Sequence, residues 1–234
     1  MMPAARKAPG RRPPRRILVL DVGGTHVKFR IEPHGRTQKF DSGPKLGPKR
    51  MVRKILERLK GAAYDAVSIG YPGLVLRGRI AAEPHNLGKC WMAFNFSAAF
   101  GAPVRIVNDA AMQAIGSYRG GRMLFLGLGT GLGSTLIMDG VLEPTELAHM
   151  PYRRGRTFED YVGERGRERL GTGKWRREVA RVVAQLATAL EVDYVVLGGG
   201  NAPRIKKLPH GVRRGENRNA FIGGVRLWSR AGGR

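Results

Sequence analysis

Residues 17–31, ILVLDVGGTHVKFRI, decide the fold of this chain. The first four residues are an apolar run too short for a helix, and they lead through Asp21 to Gly23 and Gly24. After the glycines, apolar and charged side chains alternate, which is typical of a second strand. The stretch therefore predicts a strand, a glycine turn and a strand. It excludes a dinucleotide-binding fingerprint, which requires a helix directly after the glycines.

The same plan returns in the second half of the chain. Residues 123–128 and 134–138 are strand-like runs on either side of the glycine-rich stretch at 127–133. Asp139 and Gly140 form a tight turn after the second run. The two copies predict a duplicated α/β fold with an N-terminal lobe at 17–120, a C-terminal lobe at 121–234 and a cleft between them.

Helix and strand patterns fill the rest of both halves. Apolar residues at helical spacing predict helices over residues 50–60, 110–118, 158–170 and 175–190, and a shorter one over 219–228. Short apolar runs predict buried strands over residues 66–70, 104–107 and 194–197. Because ligands bind outside the carboxyl ends of strands in α/β sheets, the residues that follow these strands are the candidate site.

The chain is strongly basic. It has 42 Lys and Arg against 18 Asp and Glu, a net charge of +24. Arginine binds phosphate oxygens through two parallel hydrogen bonds, so a polyanionic partner is consistent with this excess. A solvated basic surface without a partner explains the charge equally well. Residues 1–16 combine basic side chains with no apolar run, which predicts a disordered basic arm rather than a signal peptide.

Cysteine content and hydropathy indicate the compartment. The one cysteine, Cys90, excludes internal disulfides and any zinc site built from several thiolates. We expect its thiol to be half-buried and unreactive. No stretch approaches the ~18 apolar residues of a membrane span. These features predict a cytoplasmic protein.

Two glycine turns are candidate phosphate sites. In Asp21-Val-Gly-Gly-Thr25, backbone N–H groups could wrap a phosphate while the carboxylate holds a metal ion. Taken alone, this stretch fits an ordinary hairpin as well. The second turn, Gly129-Thr130-Gly131, has apolar strands on both sides, which favours a backbone cradle over a flexible linker. A Walker sequence is absent, since Gly173-Lys174 is followed by Trp175.

Two further motifs supply acid, base and hydrogen-bonding groups. Asn108-Asp109 follows the strand at 104–107, where an Asp serves either as a helix cap or as the acceptor of a proton from an attacking hydroxyl. Glu146 and His149 lie three residues apart, on one side of a helical turn or tight loop. Such groups can bind hydroxyls. A surface histidine without a function is the alternative.

These motifs, in this order and spacing, resemble the ROK family of sugar kinases and repressors over about residues 17–228. The segments at 86–91, 139–146 and 159–161 are most similar to the polyphosphate-using branch of that family. The resemblance implies an actin-like ATPase fold of the ribonuclease H-like kind, with a cleft between two lobes. It also implies a hexose kinase that transfers a phosphoryl group from inorganic polyphosphate to the 6-hydroxyl of glucose.

The resemblance also implies a role for each matching residue. Asp109 is the expected base, and Asn108, Glu146, His149 and Glu159 are expected to hold the other sugar hydroxyls. Asp21 is expected to orient Mg2+ through water. The expected phosphate-donor site consists of Gly23, Gly24, Thr25, Lys28, Gly129, Thr130, Gly131, Gly198, Gly199 and Gly200. No structural zinc is expected, a homodimer is typical of the family, and the last segment is expected to return to the first lobe.

Two alternatives stay open at the level of sequence. The first keeps the reaction and replaces polyphosphate by ATP as the donor. The second is a protein without catalysis, either a ROK-like sugar sensor or a basic nucleic-acid-binding protein. The N-terminal arm has no helix-turn-helix pattern, and its basic residues have no aromatic residues between them, which argues against nucleic acid as the partner.

Overall fold

The structure is a computed structural model that describes residues 15–216 and 218–229. Most of the basic arm assigned to residues 1–16 lies outside the described residues. The backbone N–H groups of Arg15 and Arg16 donate to Asp65 Oδ2 at 2.9 and 2.8 Å. These two hydrogen bonds precede the first strand of the first sheet.

The strands form two sheets of the same size and one small hairpin. The first sheet and the hairpin are built from β1 (Ile17–Val22), β2 (His26–Glu32), β3 (Gln38–Asp41), β4 (Ala66–Tyr71), β5 (Val75–Leu76), β6 (Arg79–Ile80) and β7 (Val104–Asn108), with β5 and β6 pairing as the hairpin. The second sheet is built from β8 (Arg122–Leu128), β9 (Leu132–Met138), β10 (Val141–Thr145), β11 (Tyr194–Gly198) and β12 (Val212–Arg214).

The two sheets share one topology. The strand orders are β3-β2-β1-β4-β7 and β10-β9-β8-β11-β12. In each sheet the first three strands pair antiparallel and the last two add in parallel. The duplicated α/β fold predicted from the two glycine turns is therefore confirmed. The short strands β3 and β12 lacked a clear sequence pattern and were not predicted.

The helices cover the sheets and join them. They are α1 (Pro48–Leu59), α2 (Phe96–Phe100), α3 (Asp109–Ser117), α4 (Phe158–Val162), α5 (Glu164–Ala189) and α6 (Asn219–Arg226). Within the described residues, no helix is both long enough and apolar enough to cross a membrane.

The helix predicted over residues 158–170 is divided into two helices, because the chain breaks at Gly163. Gly163 is extended, with φ −74° and ψ −179°, and a new helix begins at Glu164. The break lets the Glu164 N–H donate to the carbonyl oxygens of Gly129 and Thr130 at 3.2 and 3.3 Å. The new helix continues through Gly171, where φ is 73°, so the predicted gap before residue 175 is only a kink. A tertiary hydrogen bond overrides the local helical pattern here.

Helices α3 and α6 connect the two halves, because each packs against the sheet of the other half. Helix α3 follows the first sheet, yet Ala114 packs with Phe125 of the second sheet. Helix α6 follows the second sheet, yet Phe221 packs with Val19 of the first. The axes approach closely, since a Cβ at Gly223 would overlap the Met112 carbonyl oxygen. Each sheet thus buries a helix contributed by the other half.

Cys90 differs from the sequence prediction. Its side chain is exposed, and its backbone has a φ of 73°. The residue lies in the turn between Leu87 and Trp91, and Trp91 is the side chain that this segment buries. The apolar character of the segment therefore comes from its neighbours rather than from the thiol.

Candidate active site

Asp21 lies at the carboxyl end of β1, in the middle of the first sheet. In the sheet register it is next to Lys28 of β2 on one side and Gly70 of β4 on the other. Lys28 Nζ is 3.8 Å from Asp21 Oδ2. Burial raises the pKa of Asp21, and the Lys28 ammonium partly offsets that rise. The structure therefore places Asp21 beside Lys28, and their expected roles toward Mg2+ and the donor stay predictions.

The first glycine turn connects β1 to β2 as a hairpin turn and is hydrogen-bonded to Ser42. The Gly23 N–H donates to the His26 carbonyl at 2.9 Å. Ser42 ties the turn to β3, since its N–H donates to the Thr25 carbonyl at 2.9 Å and its hydroxyl to the Gly23 carbonyl at 2.7 Å. The Thr25 side chain is exposed. Sequence reasoning missed Ser42, because the short strand before it was not predicted.

Asn86 faces the first glycine turn across a narrow gap. A Cβ added at Gly24 would lie 3.4 Å from Asn86 Cβ and 3.7 Å from its amide nitrogen. The absence of a side chain at Gly24 therefore leaves room for a ligand atom between the two residues. Asn86 belongs to the segment that resembles the polyphosphate-using branch, but the sequence did not assign it a role.

Asn108 is the N-cap of α3. Its Oδ1 accepts hydrogen bonds from the N–H groups of Ala110 at 2.9 Å and Ala111 at 3.3 Å. Its Nδ2 donates to the Gly73 carbonyl at 3.1 Å, which ties the turn after β4 to the helix. Asn108, rather than Asp109, thus makes the cap, and its proposed contact with a sugar hydroxyl stays a prediction.

Asp109 begins α3 at the same edge of the sheet as Asp21. Gly70 leaves room for α3 at this edge, because a Cβ there would lie only 2.5 Å from Met112 Cε. Burial, followed by the negative charge of Asp21, raises the pKa of Asp109 to about 7, although the Ala110 N–H acts to lower it. A carboxylate with this pKa can hold or release a proton near neutral pH, as a general base must.

The second glycine turn consists of three residues. Strand β8 continues to Leu128 and β9 begins at Leu132, so only Gly129, Thr130 and Gly131 form the turn. The Gly129 N–H donates to the Gly131 carbonyl at 3.1 Å, and the Thr130 side chain is exposed. The predicted turn between two apolar strands is therefore present, with its hydroxyl directed away from the core.

Glu159 holds the second glycine turn through a hydrogen bond. Its Oε2 accepts a hydrogen bond from the Leu132 N–H at 2.9 Å, and a Cβ at Gly131 would overlap this carboxylate. The first turn of α4 is fixed by a capping box between Thr157 and Asp160. The structure therefore brings Glu159 to the second glycine turn, and its expected contact with the sugar stays a prediction.

Gly198 ends β11, and Gly199 and Gly200 follow it at the border of the second turn. Gly198 is the register partner of Gly127. Gly199 has a φ of 81° and leaves space for the Leu128 carbonyl, while a Cβ at Gly200 would meet no atom within 4 Å. These glycines lie beside the second turn, and their expected contact with the phosphate donor stays a prediction.

Asn201 and Glu164 hold the second turn in place, and sequence reasoning missed both. The Asn201 N–H donates to the Leu128 carbonyl at 2.8 Å, and its side-chain amide donates to Glu164 Oε2 at 2.6 Å. A hydrogen bond from Arg167, with help from Asn201, lowers the pKa of Glu164 to about 2. The polar residue directly after three glycines was the signal that could have identified Asn201.

Glu146 and His149 lie together on an exposed loop. His149 Nε2 is 3.9 Å from Glu146 Oε1, and each side chain is 72% exposed. The loop is a 3-10 helix, Leu147–His149, anchored by buried Ala148 and by a hydrogen bond from the Leu147 N–H to Ser134 Oγ at 3.1 Å. The predicted tight loop is present, and both side chains are accessible to a ligand.

The residues at the sheet edge fit Mg2+ better than a structural metal. Across residues 15–216 and 218–229, no three His, Cys, Asp or Glu side chains lie close enough together to hold a metal ion by themselves. Mg2+ is usually bound by one or two carboxylates together with waters and substrate phosphates. The carboxylate of Asp21, beside the first glycine turn, matches that smaller requirement.

Two sheets of identical topology, joined by exchanged helices around two glycine turns, are the actin-like fold of sugar kinases. Among solved structures, the inorganic polyphosphate/ATP-glucomannokinase from Arthrobacter sp. has a TM-score of 0.75 at 23% identity, covering 90% of this chain and 96% of that one. A ROK family glucokinase from Streptomyces griseus, solved with glucose and AMPPNP, has a TM-score of 0.71 at 18% identity and covers 91% and 99% of the two chains. These likenesses show the fold.

Sequence comparison gives the nearer relationship. The polyphosphate glucokinase of Mycobacterium tuberculosis is 27% identical over 233 residues, which span 88% of this chain and 85% of that protein. A kanosamine kinase from Amycolatopsis mediterranei is 29% identical over 143 residues, 53% of this chain and 46% of the kinase. No family model matches the sequence. The resemblance to ROK sugar kinases that the motifs indicated is confirmed by these relatives.

Proposed function

We propose that this chain is a glucokinase that transfers a phosphoryl group from inorganic polyphosphate to the 6-hydroxyl of glucose. The observation on which the proposal rests is Asp109, a carboxylate with a pKa of about 7 at the sheet edge next to Asp21 and the first glycine turn. The similarity to a mycobacterial polyphosphate glucokinase over most of both chains supports the same reaction.

In the proposed reaction Asp109 accepts the proton of the 6-hydroxyl. The sugar oxygen attacks the terminal phosphorus of the donor, a new P–O bond forms, and the bond to the rest of the phosphate chain breaks. The shortened chain leaves with the electron pair of that bond. The pKa of about 7 suits this role, because the carboxylate is ionised in a large fraction of molecules at neutral pH and is basic enough to take the proton.

The other residues at this edge of the sheet would bind the charged groups of the donor and its metal ion. Lys28 and the backbone N–H groups of both glycine turns would meet the donor phosphates, and Asp21 would hold Mg2+ through water. When bound, Mg2+ supplies neutralisation of the negative charge on the donor phosphates. Phosphoryl transfer depends mainly on positioning and on such charge neutralisation. Glu146 and His149, both exposed, are the groups proposed to hold further sugar hydroxyls.

The donor is tested by comparing long-chain polyphosphate with ATP. We expect glucose 6-phosphate to form with polyphosphate and Mg2+, measured by coupling the product to its dehydrogenase. Turnover with ATP but not with polyphosphate would contradict polyphosphate as the donor, while phosphorylation of glucose would stand as the reaction. Added salt should weaken polyphosphate use more steeply than ATP use, since a longer polyanion forms more screened contacts.

The acceptor is tested in the same assay with other hexoses. Glucose is proposed on the basis of the mycobacterial relative, and the Arthrobacter structure is that of a glucomannokinase. We expect kcat/KM for glucose to exceed that for mannose. The reverse order, with the same donor, would contradict glucose as the substrate.

A further inference from the structure

A cavity lined by arginines opens beside the crossing of α3 and α6, formed by residues separate from the glycine turns. It has a volume of about 190 Å3, and its walls are the end of α3, strand β12 and the start of α6. Both halves of the duplicated fold therefore contribute to it. Its charged lining residues are Arg119, Arg213, Arg214, Arg218, Arg226 and Glu216.

The positive charge of this cavity is largely uncompensated. Glu216 pairs with Arg218, with 2.6 Å between Oε2 and Nε. Among the described residues, no carboxylate lies within 4.0 Å of the other four guanidinium groups. Like charges gathered in a concave site raise the local concentration of anions. The cavity is therefore a place where the chain's net positive charge is concentrated.

Neutral groups fix several of these arginines in position. Arg226 Nη1 donates to the carbonyl oxygens of Ile115 at 2.7 Å and Tyr118 at 3.0 Å, at the end of α3. The guanidinium of Arg213 lies 4.9 Å from the centre of the Tyr194 ring. Carbonyl oxygens and aromatic faces orient a guanidinium without cancelling its charge. Arg213 and Arg226 are therefore held in position in the absence of a ligand.

We propose that this cavity binds a short segment of inorganic polyphosphate, at a second site outside the catalytic cleft. Guanidinium groups bind phosphate oxygens in bidentate fashion, and several of them can hold neighbouring phosphates of one chain. The volume is below the ~300 Å3 of ordinary small-molecule sites, which favours a few linked phosphates over a whole nucleotide. The choice of polyphosphate rests on the proposed function.

Nucleic acid fits the cavity less well. Single-stranded nucleic acid binds in open grooves where exposed aromatic rings stack on successive bases. Here the aromatic residue in the lining, Tyr118, is half-buried and donates its hydroxyl to the Gly121 carbonyl at 2.9 Å, and the ring of the neighbouring Tyr194 is covered by Arg213. A second site for polyphosphate would keep a long donor chain attached between turnovers and raise its concentration at the cleft.

The test measures binding in the Asp109→Asn background, so that turnover does not enter. Tripolyphosphate is titrated calorimetrically into that variant and into two derivatives, Arg119→Gln/Arg213→Gln in the cavity and Arg50→Gln/Arg53→Gln on the exposed face of α1. Each derivative removes two positive charges. We expect the cavity derivative alone to lose one equivalent of bound tripolyphosphate, or to bind it more than about tenfold more weakly.

Hydrogen exchange shows which residues bind the equivalent of tripolyphosphate that the cavity derivative loses. Tripolyphosphate should protect residues 115–119 and 212–223 in the parent and in the α1 derivative, and no longer in the cavity derivative. Equal binding by both derivatives, or protection confined to the glycine turns, would overturn the proposal. Tighter binding of a single-stranded oligonucleotide to the same residues would overturn the assignment to polyphosphate. If the enzyme used only ATP, the proposed donor would fail while this binding result stood.

Discussion

The carboxylate of Glu159 accepts a hydrogen bond from the Leu132 N–H at 2.9 Å, so one acidic side chain fixes the end of the second glycine turn. We predict that Glu159→Ala raises the KM for the phosphate donor by about tenfold, because a backbone N–H loses its acceptor and the turn is no longer held. Glu159→Gln, which keeps a carbonyl oxygen, should leave the donor KM near that of the parent.

Steady-state kinetics with each substrate varied in turn distinguish this role from sugar binding. Glu168→Ala, which removes an exposed acid from α5, is the matched control. A rise in the glucose KM alone, with the donor KM unchanged in Glu159→Ala, would mean that Glu159 serves the sugar and that the turn does not depend on it.

Asp109→Asn should abolish most turnover and leave glucose binding intact. An amide cannot accept the hydroxyl proton, and loss of a general base costs about 10²–10⁴-fold in kcat. Equilibrium dialysis with labelled glucose measures binding separately from the reaction. Asp139→Asn, at an exposed turn, is the control that should retain full activity. Full turnover in Asp109→Asn would refute the role of this residue as base.

The activity should rise with pH as Asp109 ionises. Because the base is active only without its proton and its pKa is about 7, kcat/KM should increase through neutral pH and level off above it. After burial, the negative charge of Asp21 is the next cause of the raised pKa. Asp21→Asn removes that charge, so the pKa of Asp109 should fall and the rising limb should move to lower pH.

This shift is separable from any loss of donor binding in the same variant. Asp21→Asn is expected to lower the maximal rate as well, since Asp21 is proposed to orient Mg2+. The position of the limb on the pH axis does not depend on that maximum. If the rising limb of the pH profile lies at the same pH in Asp21→Asn as in the parent, the charge of Asp21 does not affect the pKa of Asp109.

Local patterns in the sequence were sufficient for the central strands of both sheets and for the glycine turns. Alternating or continuous apolar runs mark β1, β2, β8 and β9, and glycines mark the turns between them. The register of the adjacent antiparallel strands β1 and β2 places Asp21 beside Lys28, two residues that the resemblance assigned to one site. These features follow from residues that are close in sequence.

Other features depend on contacts between distant residues. The break at Gly163 arises because Glu164 bonds to the turn at Gly129, and no local signal contains that partner. The bond from Leu132 to Glu159 and the support of the second turn by Asn201 are of the same kind. The exposure of Cys90 was mispredicted because burial of Trp91 determines the turn around it.

The crossing of α3 and α6 gives a prediction for stability that is independent of catalysis. A Cβ at Gly223 would overlap the Met112 carbonyl oxygen, and the backbone of a packed helix cannot move aside cheaply. We predict that Gly223→Ala destabilises the fold by about 1–3 kcal/mol, the usual cost of overpacking. Gly173→Ala in α5, where a Cβ would meet nothing within 4 Å, should be neutral or stabilise by about 0.5–1 kcal/mol. Urea unfolding measures both. Equal stability of the two variants would show that the helices do not cross at the closeness seen here, and the exchange of helices between the sheets would then lose its main support.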